Sequence, residues 1–370
     1  MTPIFRKICL VVLALVLGPL VMICGARRDG IARDEDVLLF TTSGSLDTAG
    51  QIWQIPLHGW IFERETDSWW RAALQKGVLD LLELDPADRH SEILRRRLEM
   101  FLVDNESGKT LSVILNGQPY PVGPSGANGH LEGQAEVAAR ALKPVAGSRI
   151  QSAKAVMAAA DGRRFECRIQ LPGVHGLSVI SDIDDTIKIS QVLDKEALLA
   201  NTFLREFEPL PDMASVYRRW AARGAAFHYV SASPWQLYPA LNRFIEKAGF
   251  PSGEIQLRYL RVKDRSFFAF MRASRAFKTR TIEALFRRYP KRKFILVGDS
   301  GENDPAIYAA VARAHPQNVS KIYIHLVSPD PGHRESVADL FRDLPRSCWD
   351  LFNTGAQLDN FATMRPPEPH

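Results

Sequence analysis

The stretch Leu177–Ser190, LSVISDIDDTIKIS, constrains the fold more than any other part of the chain. It opens apolar and β-branched at Val179 and Ile180, which suits a short buried strand. It then breaks into Asp182, Asp184 and Asp185, followed by Thr186. A buried strand that ends in carboxylates delivers them to the carboxyl edge of a sheet, where open α/β sheets bind ligands. Asp182 and Asp184 are two apart and share a face of a regular strand. Carboxylates that close repel, so a cation or a proton must compensate. Mg²⁺, a hard ion that prefers oxygen, is the obvious candidate. Three other readings compete. An acidic strand end can be a solvated loop. A calcium EF-hand loop starting at Asp182 needs Gly at 187 and Glu at 193, and the chain has Ile187 and Leu193. A nucleotide-sugar DxD site is compatible with the pair alone, so the rest of the chain must decide.

A length of 370 residues accommodates two domains. The composition, 46% hydrophobic and 24% charged, is globular. The net charge of +5 suits an anionic substrate or a membrane surface without demanding either. Cys9 and Cys24 lie in the first apolar run, and the distant Cys167 and Cys348 give neither a disulfide framework nor a metal spacing. In residues 1–26, Arg6 and Lys7 precede the apolar run Ile8–Cys24, which reads as a signal peptide or a membrane anchor. Either exports the remaining chain. The expected place is therefore outside the cytoplasm or anchored, on the periplasmic side of a bacterial inner membrane.

Residues 34–171 read as a β-rich amino-terminal domain with a helical insertion. Strands are expected at Val37–Phe40, Ile52–Ile55, Leu57–Glu63, Phe101–Val103, Leu111–Asn116, His130–Glu132 and Phe165–Leu171, between Gly, Pro and Asn turns. Asp67–Leu84 and Arg89–Met100 have helical composition, the second with Arg95, Arg96 and Arg97 in a run. Trp69-Trp70 beside basic residues could dock on a membrane, though a core position is the commoner fate of a tryptophan. No catalytic constellation is visible in this region.

Beyond the acidic strand, apolar strands alternate with helices. A helix over Met213–Arg223 stops at Gly224, and the strand Ala226–Val230 runs into Ser231-Ala232-Ser233-Pro234-Trp235. Hydroxyls and free backbone N–H groups at a strand end suit phosphate oxygens, although such a serine often only caps a helix. Leu237–Lys247 is helical. The stretch 258–280 is dense in cations with phenylalanines interleaved, and Lys278 stands just before the amphipathic helix Thr279–Tyr289. The strand Phe294–Val297 ends in Gly298-Asp299-Ser300-Gly301-Glu302-Asn303-Asp304-Pro305, and Pro305 suits the start of the helix Ala306–Ala314. A fourth strand follows at Ile322–Val327. Strands alternating with helices and without tight hairpins mean a parallel sheet with right-handed crossovers.

The strand ends together carry a phosphoryl-transfer kit: Asp182 and Asp184, Ser231, Lys278, then Asp299 and Asp304. On these residues the chain resembles the haloacid dehalogenase superfamily, whose first motif DxDxT is matched by Asp182, Asp184 and Thr186. DIDDTIK, SASPW and GDSGENDP resemble one branch, the catalytic domain of the actin-patch-protein type of phosphatidate phosphatase, related to the lipin catalytic domain. GWIFE at 59–63 and SGANGH at 125–130 resemble the amino-terminal region of bacterial members more loosely. The resemblance implies an α/β, haloacid-dehalogenase-like doubly wound parallel sheet without a large cap over 173–353, then a tail over 354–370. It implies Asp182 as nucleophile, Asp184 as acid and base with Thr186 holding it, and Ser231 and Lys278 on the phosphoryl oxygens, Ser233 being the alternative to Ser231. It implies Mg²⁺ at Asp182, Asp184, Asp299 and Asp304. Asp185 and Glu302 match the branch without a role, and His325 stands where the family commonly carries a basic residue.

The expected activity is Mg²⁺-dependent release of phosphate from phosphatidate at a membrane surface through a phospho-aspartate. The alternatives are the same chemistry on a soluble phosphomonoester or phosphoprotein, or a non-catalytic module that binds anionic lipid. The basic residues form no nucleic-acid reader motif, and protein partners cannot be read from the chain.

Overall fold

The computed structural model describes residues 30–64, 91–142, 150–259 and 275–358. The expected leader or anchor at 1–26, the helix Asp67–Leu84 with Trp69-Trp70, most of the cationic stretch and residues 359–370 lie outside them. No described helix is long and apolar enough to cross a membrane.

The protein is a mixed α/β chain with a β-rich amino-terminal region. In order it holds β1 (Glu35–Leu39), β2 (Thr42–Ser43), β3 (Ser45–Leu46), β4 (Ile52–Glu63), α1 (Glu92–Glu99), β5 (Asp104–Asn105), β6 (Leu111–Leu115), β7 (Gln118–Val122), β8 (His130–Ala138), β9 (Ile150–Ala155) and β10 (Glu166–Gln170). One five-stranded sheet is built on β4; the other runs β2-β10-β9-β6-β7. Their alternating apolar residues, such as Trp53, Ile55 and Leu57 on β4 and Leu111, Val113 and Leu115 on β6, fill one common core. The two strands expected at 52–63 are one. Pro56 pairs with Gln134 of β8 at a point where β3 has ended and β1 has not begun. An open flank is where a strand tolerates a residue without an N–H. The strand expected at 101–103 is instead the exit turn of α1, with the Phe101 N–H on the Leu98 carbonyl at 2.9 Å.

The second half holds six parallel strands: β11 (Leu177–Ser181), β12 (Ala226–Pro234), β13 (Glu254–Arg258), β14 (Lys293–Asp299), β15 (Val319–His325) and β16 (Trp349–Phe352). Their order is β13-β12-β11-β14-β15-β16. The helices between them are α2 (Lys195–Leu199), which runs into a π-turn at Ala200–Leu204, α3 (Met213–Ala222), α4 (Tyr238–Lys247), α5 (Arg275–Arg288), α6 (Asp304–Ala314) and α7 (Pro331–Asp339). Both faces of the sheet are covered. Val179, Phe227 and Ile295 pack with Val216 of α3 and Leu241 of α4. Ile180, Phe294 and Leu296 pack on the other side with Leu285 of α5 and Ile307 of α6. Every residue of β11 is buried, as a central parallel strand requires. The 3₁₀ turn Gly355–Leu358, expected in a tail, brings Leu358 into the same core.

Arg292, 2% exposed, rivets the approach to β11. Its Nε donates to Ser178 Oγ at 2.8 Å, Nη1 to the Gly173 and His175 carbonyls at 2.7 Å each, and Nη2 to the Leu177 carbonyl. The two halves share a wall. Phe40, Trp60, Leu94 and Leu98 belong to one apolar cluster with Phe203, Trp235 and Tyr238. Across it the Thr41 N–H donates to Tyr238 OH at 2.8 Å, and Tyr289 OH to the Gly44 carbonyl at 3.1 Å.

Candidate active site

The chain leaves the central strand β11 to lay β12 and β13 on one side, then returns to lay β14, β15 and β16 on the other. The carboxyl ends of β11 and β14 therefore flank the crevice of a topological switch point. Asp182 follows β11, its N–H on the Val297 carbonyl of β14 at 2.9 Å. Asp299 ends β14, and Asp304 opens α6 with Pro305 behind it. Each of the three carboxylates offers an oxygen within 4.8 Å of the others, and all three are at most 1% exposed. Gly298 permits this approach, because a Cβ there would overlap the Asp304 side chain.

Lys278, in the first turn of α5, lies in the middle of the acids: 2.6 Å from Asp304 Oδ1, 3.0 Å from Asp182 Oδ1 and 3.1 Å from Glu302 Oε2. Burial opposes its charge, but Asp182, Asp304 and Glu302 outweigh burial and hold the ammonium well above the ordinary lysine range. One cation does not balance the cluster. Burial, against Lys278 and with Asp304, Glu302 and Asp299 adding to it, pushes the Asp182 carboxyl well up. Burial with Glu302 and Asp304 does the same to Asp299. Burial lifts Glu302 to about 7 despite Lys278, with Asp304 adding to the rise. Asp299 Oδ1 accepts the Gly301 and Glu302 N–H groups at 2.6 and 3.0 Å, while Oδ2 of Asp299 and Oδ2 of Asp182 are buried without a hydrogen-bond partner. Unpaired oxygens, an excess of buried negative charge and an all-oxygen donor set fit a hard divalent cation such as Mg²⁺.

Asp184 does not join that trio. Its Oδ1 takes the buried Lys188 ammonium at 2.8 Å and Ser190 Oγ at 2.7 Å. Its Oδ2 takes Ser231 Oγ at 3.3 Å and Ser233 Oγ at 3.2 Å. Burial pushes against its charge, but Lys188 and these hydroxyls win and keep its pKa below the usual carboxylate value. Thr186 Oγ1, expected to hold Asp184, is buried without a hydrogen-bond partner. Of the residues expected at the site, Asp182, Lys278, Asp299 and Asp304 form one group, and Asp184, Ser231 and Ser233 form a second.

Residues 177–326 match the family of the phosphatidate phosphatase APP1 catalytic domain. Among curated proteins, phosphatidate phosphatase APP1 of Saccharomyces cerevisiae is 35% identical over 181 residues, covering 44% of this chain and 29% of that protein. An uncharacterised protein of Schizosaccharomyces pombe is 32% identical over 159 residues, covering 42% of this chain and 26% of its own length. The chain thus spans under a third of the length of these relatives. A solved β-glucuronidase of Parabacteroides merdae aligns with 79% of this chain and 34% of its own, at 10% identity and a TM-score of 0.28, too low to indicate a shared fold.

Within the APP1-like segment, residues that the sequence left without a role prove to shape the site. Asp185, at φ 48°, turns its carboxylate to the N–H groups of Ser190, Gln191 and Val192 at 2.7–2.9 Å. It thereby closes the loop that carries Lys188 and Ser190 beside Asp184. His325 donates through Nδ1 to the Asp185 carbonyl at 2.6 Å. It holds the backbone of that turn. Glu302 contacts Lys278. The signal for Lys188 was in the chain, as the lysine of DIDDTIK; its pairing with Asp184 needed the turn at Asp185, which no residue spacing shows.

Proposed function

We propose that this protein is a Mg²⁺-dependent phosphatidate phosphatase of haloacid-dehalogenase-like fold that works through a phospho-aspartate on Asp182. The observation that carries the reading is the buried carboxylate trio at the switch point of a parallel sheet, within a segment that matches the APP1 catalytic domain. Mg²⁺ would be held by Asp182, Asp299 and Asp304, and when bound it neutralises phosphoryl charge. Asp182 Oδ2, free of hydrogen bonds, is the attacking atom. Lys278 pairs with the acids in the resting state and turns to the phosphoryl oxygens as they enter. Ser231 and Ser233 hold Asp184, and their hydroxyls would turn to the same oxygens.

Asp184 is the acid and base of the two steps. At rest it is ionised. A phosphate dianion arriving beside it raises its pKa by like-charge repulsion, so it can take up the proton that the leaving alkoxide needs. In the second step it takes a proton from the attacking water. Phosphatidate is the substrate on the strength of the relative's name alone, and a soluble phosphomonoester would use the same residues. The exported or anchored placement rests on residues 1–26, and acts with the substrate to put the chemistry at a membrane surface.

The experiment is acid-quench trapping of radiolabelled phosphate with phosphatidate micelles and with a small phosphate ester. Asp182→Asn should trap nothing and lose about 10³-fold or more in rate. Asp184→Asn should accumulate labelled protein, because hydrolysis of the phospho-aspartate lacks its base. Label trapped on Asp182→Asn would place the nucleophile elsewhere and end this reading.

A further inference from the structure

A second site for charge lies away from the aspartates, in a cavity of about 390 Å³ between α1 and α4 with the segment 206–209 as its floor. Arg96 and Arg97 reach it from α1; Arg243 and Lys247, one turn apart on the same face of α4, reach it from the other side. Among the described residues Glu206 is the only acid in the lining, where four cations meet one carboxylate. Glu206 takes Arg96 at 2.6 Å and lies 4.0 Å from Arg97. Arg243 and Lys247 form no close ion pair among the described residues, though Lys247 helps to lower the Glu206 pKa from a distance, and both are exposed at the rim.

Arg97 is the built part of the site. It is 4% exposed. It donates to the Thr202 and Arg205 carbonyls and lies 3.6 Å over the Phe207 ring. Its Nε is buried without a partner, as is Oε1 of Gln236 on the facing wall. Burial, only partly offset by Glu206 and worsened by Arg96 and Arg243, pushes its pKa down to about 10. A buried polar atom left without a partner calls for an occupant. Between the cations the walls are apolar, from Met100, Phe207, Pro239 and Phe244. A bare phosphate would satisfy the charges and leave those walls wet. An anionic head with the start of a hydrocarbon chain satisfies both. The size lies within the range of small-molecule sites.

We propose that this groove binds an anionic phospholipid, head group on Arg97, Arg243 and Lys247 and glycerol with the first chain carbons against Phe207 and Phe244. It is distinct from the aspartate site and does not rest on the phosphatase reading. Its floor residue Phe207 also carries the Lys188 ammonium 4.8 Å over its ring, so an occupied groove touches the partner of Asp184.

The test is a calorimetric titration of the full chain in neutral detergent with excess chelator. The probes are dioctanoyl phosphatidylglycerol, a phosphodiester, its phosphatidylcholine counterpart and inorganic phosphate. Phosphatidylglycerol should bind, and both other probes should bind at least about tenfold more weakly, since charge-assisted contacts are the strong ones and the chains add area. R243Q/K247Q, which removes two exposed cations that form no close ion pair, should weaken phosphatidylglycerol by about tenfold or more at an unchanged urea midpoint. Equal binding of the two lipids, unchanged binding by the double variant, or no binding at all would overturn the proposal. Phosphate binding as tightly as phosphatidylglycerol would make it an oxyanion site and overturn the lipid assignment.

Discussion

The wall between the two halves should make the protein sensitive to mild acid, through His58 of β4 and His130 at the start of β8. Their Nε2 and Nδ1 atoms lie 3.0 Å apart. Phe40 and Trp235 sit against the His58 ring at 4.4 and 4.7 Å, and Trp60 stacks on His130 at 5.2 Å. Burial, with His130 adding to it, pushes His58 down to about 3, and burial alone does the same to His130. Folded, both rings are neutral at pH 7; unfolded, each takes a proton near 6.5. The unfolded chain therefore binds more protons below pH 6.5. The contribution of the pair is complete above 6.5 and is lost as pH falls from 6.5 towards 3. At about 1.4 kcal/mol per pH unit for each ring, the pair removes about 4 kcal/mol between pH 6.5 and 5.0. That is a large part of an ordinary stability of about 5–15 kcal/mol. The assay is urea unfolding at pH 7.5 and 5.0 of the wild type and of His58→Gln/His130→Gln. His228 and His325 are also depressed, by burial first, but they are common to both proteins, so the difference isolates the pair. The double variant should start less stable and lose about 4 kcal/mol less on acidification. Equal losses in the two proteins would refute this account of the wall.

Two further outcomes follow from the site and its support. Mg²⁺ at about 100 times its dissociation constant should stabilise the wild type by about 2.7 kcal/mol and leave Asp299→Ala unmoved, read by thermal unfolding without substrate; an equal shift in both would remove Asp299 from the metal site. Arg292→Met strips donors from the Gly173, His175 and Leu177 carbonyls and from Ser178, and should cost about 3–5 kcal/mol in urea unfolding, whereas a loss under 1 kcal/mol would mean that water replaces the guanidinium.

The parts of this molecule that could be read from the chain are those in which one residue type does one job. Val179-Ile180 and Phe294–Val297 are apolar throughout because both of their faces are covered, and each announces a buried parallel strand. Asp182 and Asp299 stand at the ends of such strands and Asp304 opens the helix that follows the second, so the chain itself brings them to one edge. β13 was missed because Glu254 sits in it. That acid is buried and held down to about 2, against burial, chiefly by Arg288 from α5 and by His228 from β12, so its polarity is satisfied only in three dimensions. β16 is four residues long and β9 carries a lysine and a glutamine, so neither has a periodicity to detect. Asp184 misled in a different way. In a regular strand it shares a face with Asp182, but β11 stops at Ser181, and beyond it the backbone turns Asp184 to Lys188 and three serines.

The apolar wall of Phe40, Trp60 and Leu98 against Phe203, Trp235 and Tyr238 has a consequence for how the chain can be cut. A fragment starting at residue 173 retains all six parallel strands and the aspartates, yet it turns three large apolar side chains towards water. It also strips Thr202 and Arg205 of the guanidinium that ties their carbonyls to α1. Such a fragment lowers its free energy by clinging to a copy of itself or to a lipid surface. Cooperativity in this protein therefore runs across the seam at residues 171–173, and the amino-terminal sheets act as a lid on the half that carries the aspartates, a lid that the chain supplies from its own upstream sequence.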